Sequence, residues 1–320
     1  MPDLFFEMNY AKLYESIEQG SSEVFEFNNE LGKIRYVFLK RKISNSTEDE
    51  PYYDITTPYG YGGPLIVEAR GNKKELVQQF QDAFKIYCEK HNIVSEFIRF
   101  HPLFSNAEDF KEHYEIELRR STTGTTLSAH EDPVQAEFSK SARRNVRKSL
   151  KAGVTYSITR NPPDLTAFKD IYYHTMERNN ADSIYFFDDD YFKSCQRLLG
   201  KHLILTEVQF EGKPIGMALS FAYNNVIHTH LSGTLQEFHY LSPAYVLQYA
   251  LVQWGKENGY KLIHDGGGRT SKPDDSLYLF KKQFGKNTEF QYFVGYKIWN
   301  DQVYSWLCDS SENKSLESPI

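Results

Sequence analysis

Cysteine is scarce. The 320 residues contain three, Cys88, Cys195 and Cys308, far apart in the chain. That spacing excludes a disulfide framework and a zinc cluster built from close ligand pairs, and it suits a reducing compartment; no metal is expected. Long apolar runs are also lacking: nothing approaches the roughly 20 residues that a transmembrane helix needs. The start, Met1-Pro2-Asp3-Leu4-Phe5-Phe6-Glu7, has no basic segment leading into an apolar one. No signal peptide and no transmembrane segment are expected, so the chain reads as cytoplasmic. Cations are not in excess, because 37 Lys and Arg face 43 Asp and Glu, for a net charge of −6. This excludes a global basic field of the DNA-binding kind and leaves room only for a local basic patch. Repeats and low-complexity tracts are absent. Nothing resembles a Ser-His-Asp or Cys-His constellation, and no cysteine sits among cations that would favour a thiolate.

What is present describes a folded protein with ample core. Hydrophobic residues make up 40% and charged residues 25%, and the length suits two domains or one large one. Val24–Phe27 and Ile34–Leu39 alternate as strands joined by the turn Asn28-Asn29-Glu30-Leu31-Gly32. A polar stretch, Asn45–Glu50, precedes Tyr53–Pro64, which is too rich in Gly and Pro for a helix or central strand and reads as an ordered loop. Leu76, Phe80, Phe84 and Tyr87 recur at helical spacing and predict a helix over 73–91. Strands are expected at Glu96–Phe100, Glu115–Leu118 and Gly124–Leu127.

A basic helix follows over 139–151, with Phe138, Ala142, Val146 and Leu150 as its apolar stripe and Gly153 as its stop. The α/β pattern then restarts. Strands are expected at 154–158, 203–210, 215–223, 226–231 and 262–264, with helices at 165–179, 189–199 and 243–257. Phe290–Phe293 and Tyr296–Trp299 read as a final hairpin, and Ser310–Ile320 as a polar tail. The expected domains are 1–139 and 140–300, with 301–320 as return segment and tail.

The candidate chemistry centres on His264-Asp265-Gly266-Gly267-Gly268-Arg269, at a strand end, and on Phe280-Lys281-Lys282-Gln283-Phe284-Gly285. Glycines 266–268 permit positive φ and close backbone approach to a ligand. Lys281 supplies a fixed cation, so the two segments suit an anionic or carbonyl-bearing group. The alternative is a tight turn before an ordinary amphipathic helix. His264 is a candidate proton acceptor with Asp265 to orient it, or else a packed strand-end histidine. His228 and His230 alternate on one strand and lack a third ligand for a metal. Lys140, Arg143, Arg144, Arg147, Lys148 and Lys151 form the strongest charge cluster, suited to RNA phosphates or a nucleotide diphosphate, or simply a solvated face. Tyr59 and Tyr61 between glycines offer aromatic faces to a sugar, peptide or base. Arg99 and His101 follow on the next strand, and Asp182–Phe187 is a candidate aromatic lid.

These residues resemble the Fem-type aminoacyltransferases and their relatives in the GNAT acyltransferase superfamily. The resemblance is carried by Asp54–Pro64, Phe97–Leu103, Ser141–Lys148, Leu231–Thr234, Pro243–Leu247, Gly266–Gly268 and Phe280–Gly285, in that order. It implies an α/β fold of two GNAT-like (acyl-CoA N-acyltransferase fold) domains packed around a cleft, the last strands returning to the first domain. It implies transfer of an acyl or aminoacyl group to an amine or hydroxyl of a cell-wall precursor or surface polysaccharide. The donor would be aminoacyl-tRNA or acyl-CoA. The acceptor would be a nucleotide-linked precursor or a sugar. Phe280-Lys281 matches the family's Phe-Lys pair and puts Lys281 at the acyl-transfer site, and Arg99 and His101 fall near the acceptor. The chain lacks the family's long coiled-coil insertion and the Gln/Arg-x-x-Gly-x-Gly/Ala loop with which ordinary GNAT enzymes hold coenzyme A. The alternative is a GNAT-like module without activity that binds a glycan or precursor peptide.

Overall fold

The computed structural model describes residues 2–44 and 51–310. The polar stretch expected at Asn45–Glu50 and the tail from Ser311 onward lie outside the described residues. The chain divides into two compact units, one made of Asp3–Arg119 with the chain from Tyr292 onward, the other of Arg120–Gln291. This division differs from the 139/140 break expected from the basic helix. The chain passes from the first unit to the second within one strand, and the segment before that helix belongs to the second. Buried Glu137 accepts hydrogen bonds from Asn287 N at 2.9 Å and Thr288 Oγ1 at 2.7 Å, which ties the segment there.

In the first unit the order is α1 (Met8–Lys12), β1 (Gly20–Asn29), β2 (Gly32–Lys42), β3 (Tyr53–Thr56), β4 (Leu65–Ala69), α2 (Lys73–Lys90), β5 (Ile93–Arg99) and α3 (Asn106–Phe110). Next come β6 (Glu115–Thr126), α4 (Pro133–Glu137), α5 (Lys140–Lys151), β7 (Thr155–Arg160), α6 (Thr166–Arg178), α7 (Asp189–Leu199), β8 (Leu203–Phe210), β9 (Lys213–Tyr223), β10 (Val226–Thr234), α8 (Pro243–Glu257), β11 (Leu262–Gly266) and α9 (Ser276–Lys282). The chain ends through β12 (Glu289–Ile298) and α10 (Asp301–Ser310).

The first unit's strands run β1-β2-β3-β5-β12, with β4 on β2. Helix α2 starts where Asn72 accepts from Lys74 N, and it buries Leu76, Val77, Phe80, Phe84 and Cys88. Phe80 and Phe84 stack at 5.6 Å, within a core that also holds Tyr36, Phe38, Ile98 and Phe100. The second unit's strands run β6-β11-β10-β9-β8-β7. The β8–β9 hairpin turns through Glu211 (φ 51°) and Gly212 (φ 75°), the left-handed pair that suits the twist of a two-residue loop. Helix α8 packs on these strands, and Leu251, Val252, Ile263, Phe138 and Phe284 fill the core beneath it.

Three expected elements change form. The strands expected at 115–118 and 124–127 merge into one, β6, which ends at Thr126, because its polar middle is satisfied internally. Thr123 Oγ1 donates to Thr288 O (2.9 Å) and Thr125 Oγ1 to Phe284 O (2.9 Å), so threonines can lie buried in a strand. The expected 290–299 hairpin is the single strand β12: Gly295 is there to admit Phe100, whose Cε2 would lie 2.5 Å from an added Cβ. The expected loop begins only after β3, which pairs in parallel with β5.

Candidate functional site

The glycine run closes β11. Its pairing with β6 steps from His264↔Gly124 to Gly266↔Thr123, which leaves Asp265 as the extra residue of a β-bulge, and Gly266 follows at φ 71°. The next two glycines are fixed by the protein's own side chains. A Cβ at Gly267 would sit 2.9 Å from Arg120 Cδ, and one at Gly268 would sit 2.2 Å from Asp275 Oδ1. Asp275 caps α9 by accepting from Tyr278 N (2.9 Å), and its other oxygen accepts from Arg269 N (3.0 Å) and Thr270 N (2.9 Å). These backbone donors hold its carboxyl down at about 2 against the opposing effect of burial.

Lys281, on α9, lies against this loop. Its Nζ donates to Gly267 O at 2.9 Å, while Arg120 Nη1 donates to Gly268 O at 2.5 Å. Burial pulls the Lys281 pKa below the ordinary lysine value, with Arg120 adding to the effect; the carboxylates of Asp265 and Asp275 oppose it. Asp265 is 4% exposed, and burial raises its carboxyl to about 7. Lys281, Gln248 and Thr229 act in the opposite direction. Gln248, on α8, donates its Nε2 to Oδ1 at 3.0 Å and to Oδ2 at 3.1 Å.

The structure thus brings Asp265, glycines 266–268 and Lys281 together, and adds Arg120, Gln248 and Asp275, which had not been singled out. It does not pair Asp265 with His264. His264 is 1% exposed, its Nε2 bonds Thr122 Oγ1 at 3.0 Å, and its ring meets those of His228 (5.5 Å) and Phe290 (5.8 Å). Arg269 is exposed and uses its backbone N–H in the loop. Phe280 packs edge-on to Tyr245 (5.3 Å) and Phe284 (5.2 Å), a core contact that seats α9. Asp275 had a local signal, an aspartate three residues before an aromatic at a helix start; Arg120 and Gln248 had none.

Elsewhere in this unit, α5 starts at Ser139, which accepts from Ala142 N, and buries Ala142, Val146 and Ser149. Arg143 turns back to Phe138 O (2.6 Å) and Gln135 O (3.0 Å). Lys140, Arg144, Arg147, Lys148 and Lys151 are not ion-paired among the described residues. An open hollow of about 470 Å³ is lined by Lys140, Ser141, Arg143, Arg144 and Arg147. Residues 182–187 form a turn fastened by Tyr172 Oη to Tyr185 O (2.6 Å) and Tyr173 Oη to Phe187 O (2.5 Å). His230 is the bulged residue of β10; it bonds Tyr191 Oη at 2.5 Å, and burial lowers its pKa to about 3.

In the first unit Tyr59 is 41% exposed, and its carbonyl is held by Tyr10 Oη at 2.8 Å. Tyr61 packs among Phe5, His101 and Tyr292. Arg99 donates to Thr57 O (2.7 Å) and Thr56 Oγ1 (3.1 Å) and lies over Phe97. His101 is buried against Asp3 at 3.6 Å, and its Nδ1 accepts from Leu103 N, as suits an anchored histidine. Burial raises the thiol pKa of Cys88, and that of Cys195 to about 12. No described helix is long and apolar enough to cross a membrane.

The chain is similar to several known proteins. Residues 136–273 match the acetyltransferase (GNAT) domain family, a segment that takes in α5, Gln248, Asp265 and the glycines and stops eight residues short of Lys281. A 98-residue stretch is 30% identical to the UDP-N-acetylmuramoylpentapeptide-lysine N(6)-alanyltransferase of Weissella viridescens, spanning 30% of this chain and 29% of that enzyme. The crystal structure of FemX superposes with a TM-score of 0.74 over 95% of this chain and 94% of its own, at 15% identity. L-PGS from Bacillus licheniformis superposes with a TM-score of 0.53 over 96% and 95%, at 13% identity. Residues 136–273 are thus similar to the GNAT domain family, and the chain as a whole has a fold like that of FemX.

Proposed function

We propose that the protein is an aminoacyltransferase that moves an aminoacyl group from aminoacyl-tRNA to an amine of a nucleotide-linked, peptide-bearing cell-wall precursor. The carrying observation is Lys281, held by Gly267 O within the glycine loop and within electrostatic reach of the Asp265 carboxyl. Attack of the amine nitrogen on the ester carbonyl forms the C–N bond and puts negative charge on the carbonyl oxygen. The ester C–O bond then breaks, the amine gives up its proton and the ribose hydroxyl takes one. An ammonium fixed at the oxyanion lowers this barrier because it need not reorganise as charge develops. Asp265 helps keep Lys281 protonated in a site whose burial favours the neutral amine. His264, turned to Thr122, anchors β11 to β6.

The tRNA donor is favoured over coenzyme A by the end of β10. In place of a glycine-rich anion loop, the chain passes from Thr234 through a 3₁₀ turn at Gln236–Leu241 to Ser242 and Pro243. Gly233 abuts the α6 backbone, with Ile171 O 2.5 Å from where its Cβ would stand. The unpaired cations of α5 suit RNA phosphates. Both substrates are cytoplasmic compounds, and the reaction belongs in that compartment.

The test is transfer from charged tRNA to a UDP-linked pentapeptide by the wild type and by Lys281→Met. A loss of about 10²–10³ in kcat with acceptor KM unchanged is expected. Full activity in the variant would remove Lys281 from the chemistry. A wild type that is inert with tRNA but stabilised by coenzyme A would replace the donor. Acceptor binding without transfer from either donor would make the chain a binding module.

A further inference from the structure

We propose that Gln248 is a positioning residue for this site, its amide NH₂ bridging both oxygens of Asp265 and fixing that carboxylate beside Lys281. The inference rests on the function proposed above and extends it to a residue on a different element. The geometry is specific. One nitrogen reaches two carboxylate oxygens at 3.0 and 3.1 Å across 17 residues of chain, from the half-buried side of an otherwise apolar helix turn. An amide NH₂ offers two donors, so it can satisfy both oxygens of a carboxylate that has almost no access to water. Asp265 sits at the β-bulge, where the strand itself does not set its direction, and the amide supplies that constraint.

The groups around the pair come from four elements. Thr229 of β10 donates its hydroxyl to His264 O at 3.5 Å and also favours the ionised form of Asp265. Lys281 of α9, Arg120 of β6 and Asp275 at the α9 cap act on the same charge balance. His264 of β11 faces away to Thr122 and the ring of His228. Gln248, like Thr229, is a neutral member that favours the carboxylate over the carboxylic acid, and it alone spans both oxygens. Without it, Asp265 binds its proton more tightly, and Lys281, deprived of a full counter-charge, releases its own more readily. The two effects oppose each other on the pH axis: activity that needs ionised Asp265 and charged Lys281 would be confined to a narrower window from both sides.

The experiment is Gln248→Met, which keeps the side-chain length and removes the donors; Gln248→Asn, too short to bridge, carries the test if the methionine variant does not fold. The aspartate carboxyl carbon is titrated by ¹³C NMR in the wild type and the variant, with Asp265→Asn assigning the signal, and the pH–rate profile of transfer is recorded alongside. The expected result is an upward displacement of the Asp265 titration by roughly one pH unit, with the acidic limb of the profile moved up and the basic limb moved down. An Asp265 titration that coincides in wild type and folded variant overturns the proposal, whatever the activity. A displaced titration in a protein that transfers nothing upholds the role of Gln248 and overturns the aminoacyltransferase reading instead. A displaced titration with an unmoved pH profile overturns the link from Gln248 to turnover.

Discussion

Replacing Glu96 by glutamine removes a charge from the middle of the first unit while keeping the shape of the side chain. Glu96 is 3% exposed and accepts from Trp299 Nε1 at 2.9 Å and Tyr114 Oη at 3.3 Å, with Tyr36 and Lys297 also favouring its charged form. Burial outweighs these partners and raises its carboxyl from 4.5 to about 7. A carboxyl whose folded pKa is raised binds more protons in the native state than in the unfolded one. Its stabilising effect is therefore complete below about pH 4.5 and lost as pH climbs through about 7. At roughly 1.4 kcal/mol per tenfold change in proton affinity, the loss is about 3 kcal/mol. Urea unfolding of wild type and Glu96→Gln across that range reads it directly, because Asp265, also raised to about 7, slopes both curves alike and cancels in their difference. The wild type should lose about 3 kcal/mol relative to the variant between pH 4.5 and 7.5. A difference that stays constant over that interval would refute the claim that Glu96 is held protonated by burial.

Gly285→Ala places a Cβ 1.6 Å from Gly124 O, a backbone atom that cannot yield, so a loss of about 3 kcal/mol or more is expected in thermal unfolding; a change under about 1 would mean that the crossing of these segments is loose. Asp275→Ala strips the α9 cap and the tie to the Arg269 and Thr270 amides, for about 1–2 kcal/mol in melting measurements, and removes a carboxylate that supports the charge of Lys281. Neutralising Lys140, Arg144, Arg147 and Lys148 should lower the slope of log affinity against log salt for tRNA by about 3–4, at roughly 0.9 per duplex phosphate contact; an unchanged slope would take α5 out of the RNA interface.

Periodic elements were legible because their signals are local. In α2 the aromatic spacing and the Asn72 cap agree, and in α5 the apolar stripe, the Ser139 cap and Gly153 at φ 94° mark both ends. The Asn28–Gly32 turn appears as the β1–β2 hairpin. What was lost was set by partners distant in the chain. The polar middle of β6 looks like a break until the carbonyls at 284–288 accept its threonine hydroxyls. Gly295 looks like a turn until Phe100 fills the space. The same holds for the site: Lys281 and the glycines stood out by type and spacing, whereas Arg120 reaches Gly268 across 148 residues and Gln248 reaches Asp265 from an apolar helix. The histidines stood out by residue type, and their partners came from elsewhere in the chain: the Thr122 hydroxyl for His264 and the Asp3 carboxylate for His101.

The glycine run shows how one pattern can carry several causes. A bare backbone suggests close approach by a ligand, yet each glycine answers a different demand of the protein itself. Gly266 takes the left-handed conformation after the bulge, Gly267 makes room for Arg120, and Gly268 makes room for the carboxylate that caps α9. These demands converge on the carbonyls of Gly267 and Gly268, which receive Lys281 and Arg120. Bulk at Gly268 would push on Asp275, and through that cap on the helix that carries Lys281. Under the proposed chemistry the loop fixes the position and charge of one ammonium, so substitutions within it should damage turnover more than substrate binding.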